Sequence, residues 1–403
     1  MNKTALVLGA GVAGCSSAIL LRQRGYHVEL IERQQFPRFS IGESISPAAV
    51  AVLNRLGIDI QQLDQLFPRK LGAQVRYGGE RATFSAANGT SNRQWPAHSY
   101  NVERERFDAM LLEKAVRMGV VVDMPAQARS FRPERNEVDV ESAKRIRTIA
   151  YELLVDATGF YSPLVEQLGL RRFAEENRSV ALFAHYEGDL NYGDVSLLHL
   201  TAFIRPPSQW IWVIPLSDKK VSIGLIDRSR QLDKNGFLHA LKSHPAISNL
   251  LGNTQPSFVQ GRMVNDYSAQ RYCGNNYFFV GDSAFFVDPI FSSGVTAAFR
   301  SAEFLVDEVL PQSSDIARMH HYNRFMDDYY RAIKRQVDLY YEAIKHPIMV
   351  RGTLRWWNLL EKDPLPRRLQ DWGNGAFNEH QFLLGLWSSG GRRLGRLLTS
   401  LGI

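Results

Sequence analysis

The feature that most constrains this chain is a glycine-rich turn directly after a short apolar run. Gly9, Gly11 and Gly14 follow the run Ala5–Leu8 with the spacing GxGxxG. The first glycine permits a sharp turn off a strand, the second lets backbone approach a pyrophosphate, and the third lets a helix pack close to a sheet. Glu32 ends the next predicted strand, where a carboxylate accepts hydrogen bonds from a ribose diol. We therefore predict a βαβ unit that binds a dinucleotide, with the phosphates at the helix N-terminus.

The amino-acid composition of the chain limits the classes of protein to which it can belong. The chain has 403 residues, of which 45% are hydrophobic and 22% charged, as expected for a soluble globular protein of two or three structural units. The formal net charge of +7 is not concentrated in a block of Lys and Arg, so we predict no nucleic-acid partner. Cys15 and Cys273 are the only cysteines and lack metal-site spacing, which predicts a reducing, cytoplasmic location without disulfides or bound metal. No apolar run approaches the ~18 residues that a membrane span needs.

The distribution of apolar residues predicts an α/β fold with an inserted sheet. Alternating apolar and polar residues from Val180 to Asp227 predict antiparallel strands between two halves of the α/β unit, and the pattern is helical from about Ala317. We therefore predict a Rossmann-like dinucleotide-binding domain, an inserted and mostly antiparallel substrate-domain sheet, and a C-terminal helical region. The predicted bounds are 1–75, 96–175 and 265–320 for the discontinuous first domain, 76–95 and 176–264 for the sheet, and 321–403 for the helical region.

Three further motifs favour FAD as the dinucleotide. GxGxxG alone fits a nicotinamide dehydrogenase as well as a flavoenzyme. The further motifs are DATG at 156–159, GDS at 281–283 and DPIFSSG at 288–294. An extended FAD needs several contact points. Asp282 fits the ribityl region, and a helix N-terminus at Ser293 and Gly294 fits the pyrimidine edge of the flavin, where negative charge collects on reduction.

Taken in order, the motifs resemble those of a flavoprotein superfamily, the FAD-dependent halogenases and aromatic monooxygenases. Two more motifs belong to this resemblance, GES at 42–44 and VxRxxFD at 102–108. The resemblance covers roughly residues 1–310 and implies a p-hydroxybenzoate-hydroxylase-like fold, with FAD across the α/β unit and the substrate beneath the inserted sheet. It further implies that Arg104 contacts FAD and that Gly42 and Ser44 lie near the isoalloxazine.

Two sequence features resemble those of the halogenase branch of this superfamily. Trp210 and Trp212 lie in a WxWxIP motif, and Lys70 falls where such enzymes carry an essential lysine. The resemblance implies that reduced flavin and O2 form a C4a-hydroperoxide, that a halide attacks it to give hypohalous acid, and that Lys70 positions the halogen beside an electron-rich ring. It also implies that the backbone amides of Ser293 and Gly294 cradle the halide.

The same resemblance gives four residues a role in the substrate pocket or in a barrier between flavin and substrate. These are Trp210, Trp212, Pro289 and Phe291. Tryptophan halogenases carry a glutamate at the position of Phe291, so the chain departs from them there. DPIFSSG is similar to halogenases of phenols or carrier-bound pyrroles, and also to flavoproteins that hydroxylate a tryptophan side chain of a partner protein during tryptophylquinone cofactor biogenesis.

We therefore predict an enzyme that halogenates an electron-rich aromatic substrate with reduced FAD, O2 and a halide. The substrate is a phenol, pyrrole or indole, and the sequence leaves open whether it is free, carrier-bound or part of a protein. Two alternatives stay open: a flavin monooxygenase that hydroxylates an aromatic ring, and a saturase like the geranylgeranyl reductases. Reducing equivalents come from a separate flavin reductase or from NAD(P)H, because the sequence contains no second nucleotide fold.

The candidate residues also have structural explanations. Lys70 beside Arg69 fits a surface lysine, and tryptophans at period 2 fit core packing. Four polar residues fit either a functional role or a local structural one: Glu43, His185, His199 and Asp288. Aromatic and basic residues near the C-terminus fit helices that close over the active site, or a docking surface for a carrier or protein substrate. They are Trp356, Trp357, Trp372, Trp387, Arg392, Arg393 and Arg396.

Overall fold

The computed structural model describes residues 3–86 and 96–362, without the side chains of 175–177 and 356–362. In this part of the chain the strands are β1 Thr4–Leu8, β2 His27–Ile31, β3 Arg69–Lys70, β4 Gly72–Tyr77, β5 Glu80–Ser85, β6 Ser99–Tyr100, β7 Val121–Asp123, β8 Ala126–Arg132, β9 Glu137–Ser142, β10 Arg145–Ala150, β11 Leu154–Asp156, β12 Arg171–Glu187, β13 His199–Arg205, β14 Gln209–Pro215, β15 Lys220–Asp227, β16 Pro256–Ala269, β17 Tyr277–Phe279 and β18 Phe285–Phe286.

The α-helices alternate with these strands in the first part of the chain and follow them in the last. They are α1 Val12–Gln23, α2 Pro47–Arg55, α3 Ile60–Leu66, α4 Arg104–Arg117, α5 Pro163–Gln167, α6 Lys234–Ser243, α7 Pro245–Leu251, α8 Ser293–Phe304, α9 Asp315–Ile344 and α10 Pro347–Lys362. A π-helical turn, Leu305–Val309, continues α8. Within the described ranges, no helix combines the length and apolar character needed to cross a membrane.

The first layer is a five-stranded parallel sheet in the order β17-β11-β1-β2-β7. Strand β1 lies at its centre, with Leu6 opposite Glu29 of β2 and opposite Leu154 of β11. Helix α1 forms the crossover from β1 to β2 and packs against α4 and α8. The predicted βαβ unit is therefore present, and the carboxyl ends of β1, β2 and β11 meet at one edge of this sheet.

The glycine turn holds α1 unusually close to the sheet. A Cβ atom on Gly14 would lie 1.7 Å from the carbonyl oxygen of Gly9, and a Cβ on Gly9 would lie 2.5 Å from the carbonyl oxygen of Ala157. Gly9 also has a φ of +93°, a conformation that L-residues rarely adopt. Both glycines are therefore required by the contact between the turn, the helix and strand β11.

The second layer is an eight-stranded sheet in the order β18-β16-β12-β15-β14-β13-β4-β5. All its neighbours pair antiparallel except β13 and β4, which are parallel. One face packs on helices α6 and α7 around Phe237 and Leu250. The other face carries three rows of paired residues from β12, β15 and β14: Ala181–Ile226–Trp210, Phe183–Gly224–Trp212 and His185–Ser222–Ile214.

The predicted fold class is confirmed: an α/β unit with a mostly antiparallel sheet and a helical C-terminal part. The predicted domain bounds stay a prediction, and part of the helical region (363–403) lies outside the described residues. The sequence analysis missed a three-stranded antiparallel sheet, β8 to β10, that follows β7. Its strand β10 is largely exposed, so it shows little of the hydrophobic pattern on which strand prediction rests.

We expect Gly14→Ala to destabilise the protein by about 3 kcal/mol or more, because the new methyl group overlaps a backbone oxygen that has no room to move. Urea unfolding of the full chain, followed by circular dichroism, measures the effect. Gly352→Ala is the matched control, since a Cβ there has no heavy atom within 4 Å and the site lies in helix α10. A Gly14→Ala protein as stable as the control would contradict this account of the turn.

Candidate functional site

One cavity of about 670 Å³ lies between the carboxyl edge of the parallel sheet and the inner face of the eight-stranded sheet. Eleven of the fifteen residues predicted from the sequence line it: Gly9, Gly11, Glu32, Gly42, Ser44, Arg104, Trp210, Trp212, Asp282, Pro289 and Gly294. The other four, Gly14, Lys70, Phe291 and Ser293, are not part of the wall. Residues separated by up to 285 positions in sequence therefore share one space.

The glycine turn forms one end of the cavity together with an arginine that the sequence analysis missed. Arg38 Nη2 lies 3.4 Å from the position of a Cβ on Gly11. The guanidinium is 3.8 Å from Glu32 and 3.7 Å from Asp108, and its Nε is buried without a hydrogen-bond partner in the described part of the chain. Gly11 is the N-cap of α1 and has no side chain with which to cap the helix. Unpaired N–H groups beside an arginine favour an anion here.

Glu32 lies at the end of β2 and is held by backbone. Its Oε2 accepts from the Ala10 N–H at 2.7 Å and its Oε1 accepts from the Gln34 N–H at 2.8 Å. Each carboxylate oxygen has a second lone pair, so the group can still accept hydrogen bonds from a ligand. The position on the cavity wall fits the predicted ribose contact.

Arg104 connects helix α4 to the loop that carries the GES motif. Its Nε and Nη2 donate to the two oxygens of Asp108 at 2.8 and 3.0 Å, and its Nη1 donates to the Ile41 carbonyl at 2.5 Å. Burial alone would lower the pKa of Arg104, but the charge and hydrogen bonds of Asp108 raise it overall. Asp108 therefore fixes a charged arginine at the cavity wall, a role that the i, i+4 spacing in VxRxxFD could have indicated.

The DATG and GDS motifs are joined by hydrogen bonds. The buried Asp156 carboxylate accepts from the hydroxyl groups of Thr158, Ser162 and Ser283, and Ser283 Oγ accepts from the Gly159 N–H at 2.8 Å. These bonds present Asp282 at the cavity wall. Burial raises the pKa of Asp282.

Two arginines oppose that rise in the pKa of Asp282: Arg262 on β16, which also lines the cavity, and Arg104. The position of Asp282 fits the predicted ribityl contact, and Arg262 is a further wall residue that the sequence analysis missed. Arg262 lies in a strand whose residues alternate irregularly between buried and exposed, so no motif indicated it.

Helix α8 points its N-terminus at the same cavity. Its N-cap, Ser292, has a φ of +53° and makes no side-chain cap, and both Ser292 and Gly294 line the wall. Pro289 lines the wall as well, whereas Ser293 is buried outside it. The predicted halide position at Ser293 and Gly294 stays a prediction, and the free N–H groups of this helix end suit an anion.

Phe291 lies away from the cavity. Its ring is 6.1 Å from the ring of Tyr340 on helix α9, in an edge-to-face arrangement. Asp288, three residues earlier, accepts from the Ile290 N–H at 3.1 Å as a cap and from the Tyr341 hydroxyl at 2.8 Å. The ring contact of Phe291 and the hydrogen bond of Asp288 thus anchor the segment 288–294 on α9.

Trp212 lies flat across the neighbouring strand because Gly224 has no side chain. A Cβ on Gly224 would be 2.0 Å from Cζ2 of the Trp212 ring, and Trp212 Nε1 donates to Ser222 Oγ at 3.3 Å. Trp210, on the same face, donates from Nε1 to the Tyr341 hydroxyl at 2.9 Å. Both rings line the cavity, and their centroids are 5.7 Å apart. The period-2 spacing thus gives two tryptophans whose indole N–H groups are both satisfied.

Lys70 is not a surface lysine. Strand β3 pairs with β6, so successive residues point to opposite sides: Arg69 faces outward and donates from Nε to Asp64 at 2.7 Å, whereas Lys70 is 4% exposed. Lys70 Nζ donates to the hydroxyl of Ser44 at 2.9 Å, and Ser44 lines the cavity. Burial lowers the pKa of Lys70 to about 7. The lysine is therefore one hydrogen bond away from the cavity wall.

Two histidines lie near these residues. His199 Nδ1 is 2.7 Å from Ser196 Oγ, and its pKa is lowered first by burial and then by the charge of Lys70. His185 Nε2 is 2.6 Å from Glu43 Oε1, and Glu43 lines the cavity. The sequence analysis considered each residue singly and missed the Glu43–His185 pair, because nothing in the sequence links positions 142 apart.

The residues of the wall fit a dinucleotide. An unpaired arginine nitrogen and an uncapped helix N-terminus lie at the glycine turn in the described part of the chain, and a carboxylate lies at the end of the adjacent strand.

The C-terminal docking surface stays a prediction. The side chains of Trp356 and Trp357, and the whole of Trp372, Trp387, Arg392, Arg393 and Arg396, lie outside the described residues.

Comparison with known sequences and structures identifies similar proteins. The sequence profile of the family described as "Tryptophan halogenase" matches residues 4–85 and 79–374. The tryptophan 2-halogenase of Chondromyces crocatus is 31% identical over 317 residues, which cover 74% of this chain and 59% of that enzyme. The chain spans 59–63% of the length of several such curated relatives.

Two solved structures share the fold. CmlS, a flavin-dependent halogenase, superimposes with a TM-score of 0.74 at 26% identity, over 83% of this chain and 64% of CmlS. A flavoprotein/dehydrogenase from Cytophaga hutchinsonii superimposes with a TM-score of 0.84 at 23% identity over the full length of both chains. Both matches cover more than the dinucleotide-binding layer, so the similarity in fold is not confined to it.

We expect Gly224→Ala to displace the Trp212 ring, because the added methyl group and the indole would occupy the same space. The protein should lose about 1–3 kcal/mol of stability, and the indole N–H resonance of Trp212 should shift in an NMR spectrum as its bond to Ser222 breaks. Gly261→Ala on β16 is the matched control, since the atom nearest to its Cβ is a terminal methyl group of Leu182, at 2.9 Å, and the backbone oxygen of Ala181 lies at an ordinary contact distance of 3.8 Å. An unchanged Trp212 resonance would show that the ring does not depend on Gly224.

We expect Lys70→Met to stabilise the protein in a pH-dependent way. Between pH 7 and 10.5 the unfolded chain holds a proton on Lys70 that the folded chain has released, so the stability of the wild type rises with pH in this window. The variant should therefore be more stable than the wild type at pH 6, by on the order of 2–4 kcal/mol, with the difference shrinking toward pH 10. Urea unfolding at several pH values measures this, with the exposed Lys219→Met as control. A difference that does not change with pH would contradict the burial of a charged lysine.

Proposed function

The chain belongs to the tryptophan halogenase family, and from this premise we propose that it is an FAD-dependent enzyme that halogenates an electron-rich aromatic ring. One structural observation supports the proposal in addition to membership of this family. Lys70 is buried, and it donates a hydrogen bond to Ser44, a residue of the cavity wall. A lysine held in this way is costly for folding, which favours a functional reason for its presence.

The cavity offers a contact for each part of FAD. The glycine turn with Arg38 would hold the pyrophosphate, Glu32 the adenosine ribose, and Asp282 the ribityl chain. Arg104, Gly42 and Ser44 would hold the flavin end, which the N-terminus of α8 faces. Bound FAD supplies, in its reduced form, the electrons that activate dioxygen for the oxidation of a halide.

The protein residues then control where the oxidised halogen goes. Trp210 and Trp212 line the cavity and would form the predicted barrier between the flavin and the substrate. The N–H groups at the start of α8 would bind the halide before it is oxidised.

Lys70 would hold the oxidised halogen through a hydrogen bond from its ammonium group and direct it to the aromatic ring. With a pKa of about 7, the lysine carries its proton in mildly acidic solution, is about half protonated at neutral pH and loses the proton in alkaline solution. This positions one charged donor in a region that is otherwise shielded from water.

The substrate is proposed to be a phenol, pyrrole or indole, either free or attached to a carrier, and a separate flavin reductase or NAD(P)H is proposed to reduce FAD. The curated relative from Chondromyces crocatus is a tryptophan 2-halogenase, which supports an aromatic substrate. Hydroxylation of an aromatic ring, including a tryptophan side chain of a partner protein, remains the alternative that the experiment below distinguishes.

We expect Lys70→Met to abolish formation of the aryl halide, by about 100-fold or more, while FAD binding and its oxygen-dependent reoxidation persist. The wild type and the variant are loaded with FAD, reduced chemically, and mixed with O2 and bromide or chloride in the presence of a panel of phenols, pyrroles and indoles. Mass spectrometry measures the products, and the absorbance of oxidised flavin measures reoxidation.

The exposed Lys219→Met serves as the control and should keep full activity. Aryl halide formation by Lys70→Met at the wild-type rate would remove Lys70 from the mechanism. Ring hydroxylation that does not require a halide, in the wild type, would replace the halogenase by the monooxygenase.

A further inference from the structure

Glu43 and His185 form a buried pair that the proposed function leaves unused. Glu43 Oε1 lies 2.6 Å from His185 Nε2, and their side chains are 1% and 9% exposed. Glu43 belongs to the loop between β2 and α2, whereas His185 belongs to β12 in the second layer. The hydrogen bond therefore crosses from one wall of the cavity to the other, with the carboxylate as its more deeply buried end.

The second carboxylate oxygen of Glu43 has no hydrogen bond. Glu43 lines the cavity, and its Oε2 is buried without a partner among residues 3–86 and 96–362. Buried polar atoms are nearly always paired, so an unpaired oxygen at a cavity wall indicates that a bound molecule completes it. Glu43 lines the cavity and His185 does not, so Glu43 is the member of the pair that is placed to exchange a proton with a molecule in the cavity.

The surroundings of the pair are aromatic on one side and charged on the other. The His185 ring lies 5.6 Å from the ring of Phe39 and 4.9 Å from that of Phe258. Near Glu43 the charged neighbour is Arg104, whose pKa is raised in part by the Glu43 carboxylate. This arrangement leaves His185 as the titratable group in hydrogen-bond contact with Glu43 within the described part of the chain.

We propose that Glu43 and His185 form a proton relay that delivers protons to the cavity during turnover. The inference rests on the proposed function, in which reduced FAD, O2, a halide, an aromatic C–H and one proton give FAD, an aryl halide and two molecules of water. Each turnover therefore consumes one proton, which must reach an oxygen atom that comes from dioxygen inside the cavity.

The relay moves the proton in two steps. The O–H bond of protonated Glu43 breaks, a new O–H bond forms on the oxygen derived from dioxygen, and the electron pair of the broken bond stays on the carboxylate. The imidazolium form of His185 then passes its Nε2 proton to Glu43, the electron pair of that N–H bond stays on the neutral imidazole, and a hydronium ion from the solvent restores the proton on the ring. An imidazole suits the outer position because it gains and loses protons near neutral pH.

The relay is tested with the full chain loaded with FAD. Glu43→Gln keeps the size and the polar contacts of the side chain but cannot carry a proton, and His185→Gln removes the outer group. The control is His98→Gln, because the half-buried His98 also makes one hydrogen bond, to the Tyr100 hydroxyl at 3.2 Å, and does not line the cavity. We expect both relay variants to form aryl halide at least about 100-fold more slowly, and the control to match the wild type.

Two further measurements distinguish a proton relay from a hydrogen-bonded pair that only holds the two layers together. Glu43→Ala should regain activity when formic acid is added, and His185→Ala should regain it with imidazole. In protein without FAD, the infrared carbonyl band of the protonated carboxyl groups in acidic solution should lose the contribution of one group in Glu43→Gln relative to the wild type. FAD retention and melting temperature of the two Gln variants should equal those of the wild type.

Activity of Glu43→Gln within threefold of the wild type would overturn the relay, as would a loss of activity that no small acid restores. Absence of aryl halide from the wild type itself would instead contradict the proposed function. In that case the relay is judged on the reoxidation of reduced FAD by O2, measured with the same variants and the same added acids, and unchanged reoxidation rates would overturn it.

Discussion

One fully buried carboxylate, Asp108, organises the charged part of the cavity. It accepts two hydrogen bonds from Arg104 and lies 3.7 Å from Arg38, so two cationic residues of the wall depend on it. Arg104 in turn binds the Ile41 carbonyl, which anchors the loop carrying Gly42, Glu43 and Ser44. Removing one partner of a buried charged group leaves an uncompensated charge, at a typical cost of about 3–5 kcal/mol. The positions of both arginines and of the loop therefore follow from a single residue inside helix α4.

In the second layer, alternate residues of each strand face opposite sides of the sheet, and the two faces have different roles. One face of β12, β14 and β15 packs on α6 and α7 with apolar residues such as Leu182, Ile211 and Leu225. The other face supplies Phe183, Trp212 and their neighbours to the cavity. Because alternate residues point to opposite faces, the cavity wall can vary while the contact with the helices is preserved. The packing face thus gives the wall residues a rigid support.

Much of this site could be predicted from the sequence, and the parts that could not share one physical reason. Gly9, Gly11 and Glu32 were predictable because the turn, helix and strand around them are consecutive in the chain. The burial of Lys70 was not, because it depends on the pairing of β3 with β6 about 30 residues away. The contact of Trp212 with Gly224 and the bond between Glu43 and His185 likewise depend on the register and approach of distant strands. Motifs identify local geometry, whereas the environment of a side chain is set by tertiary contacts.

The hydrogen bonds of Tyr341 to the cavity wall can form only late in the synthesis of the chain. The Tyr341 hydroxyl accepts a hydrogen bond from the Trp210 N–H and donates one to Asp288. Tyr341 belongs to helix α9, which follows both partners in the sequence. During synthesis, chains fold from the N-terminus as they emerge, so the two layers can form while these buried polar groups still lack their partner. The cavity thus acquires its final lining only after α9 has been made and has docked.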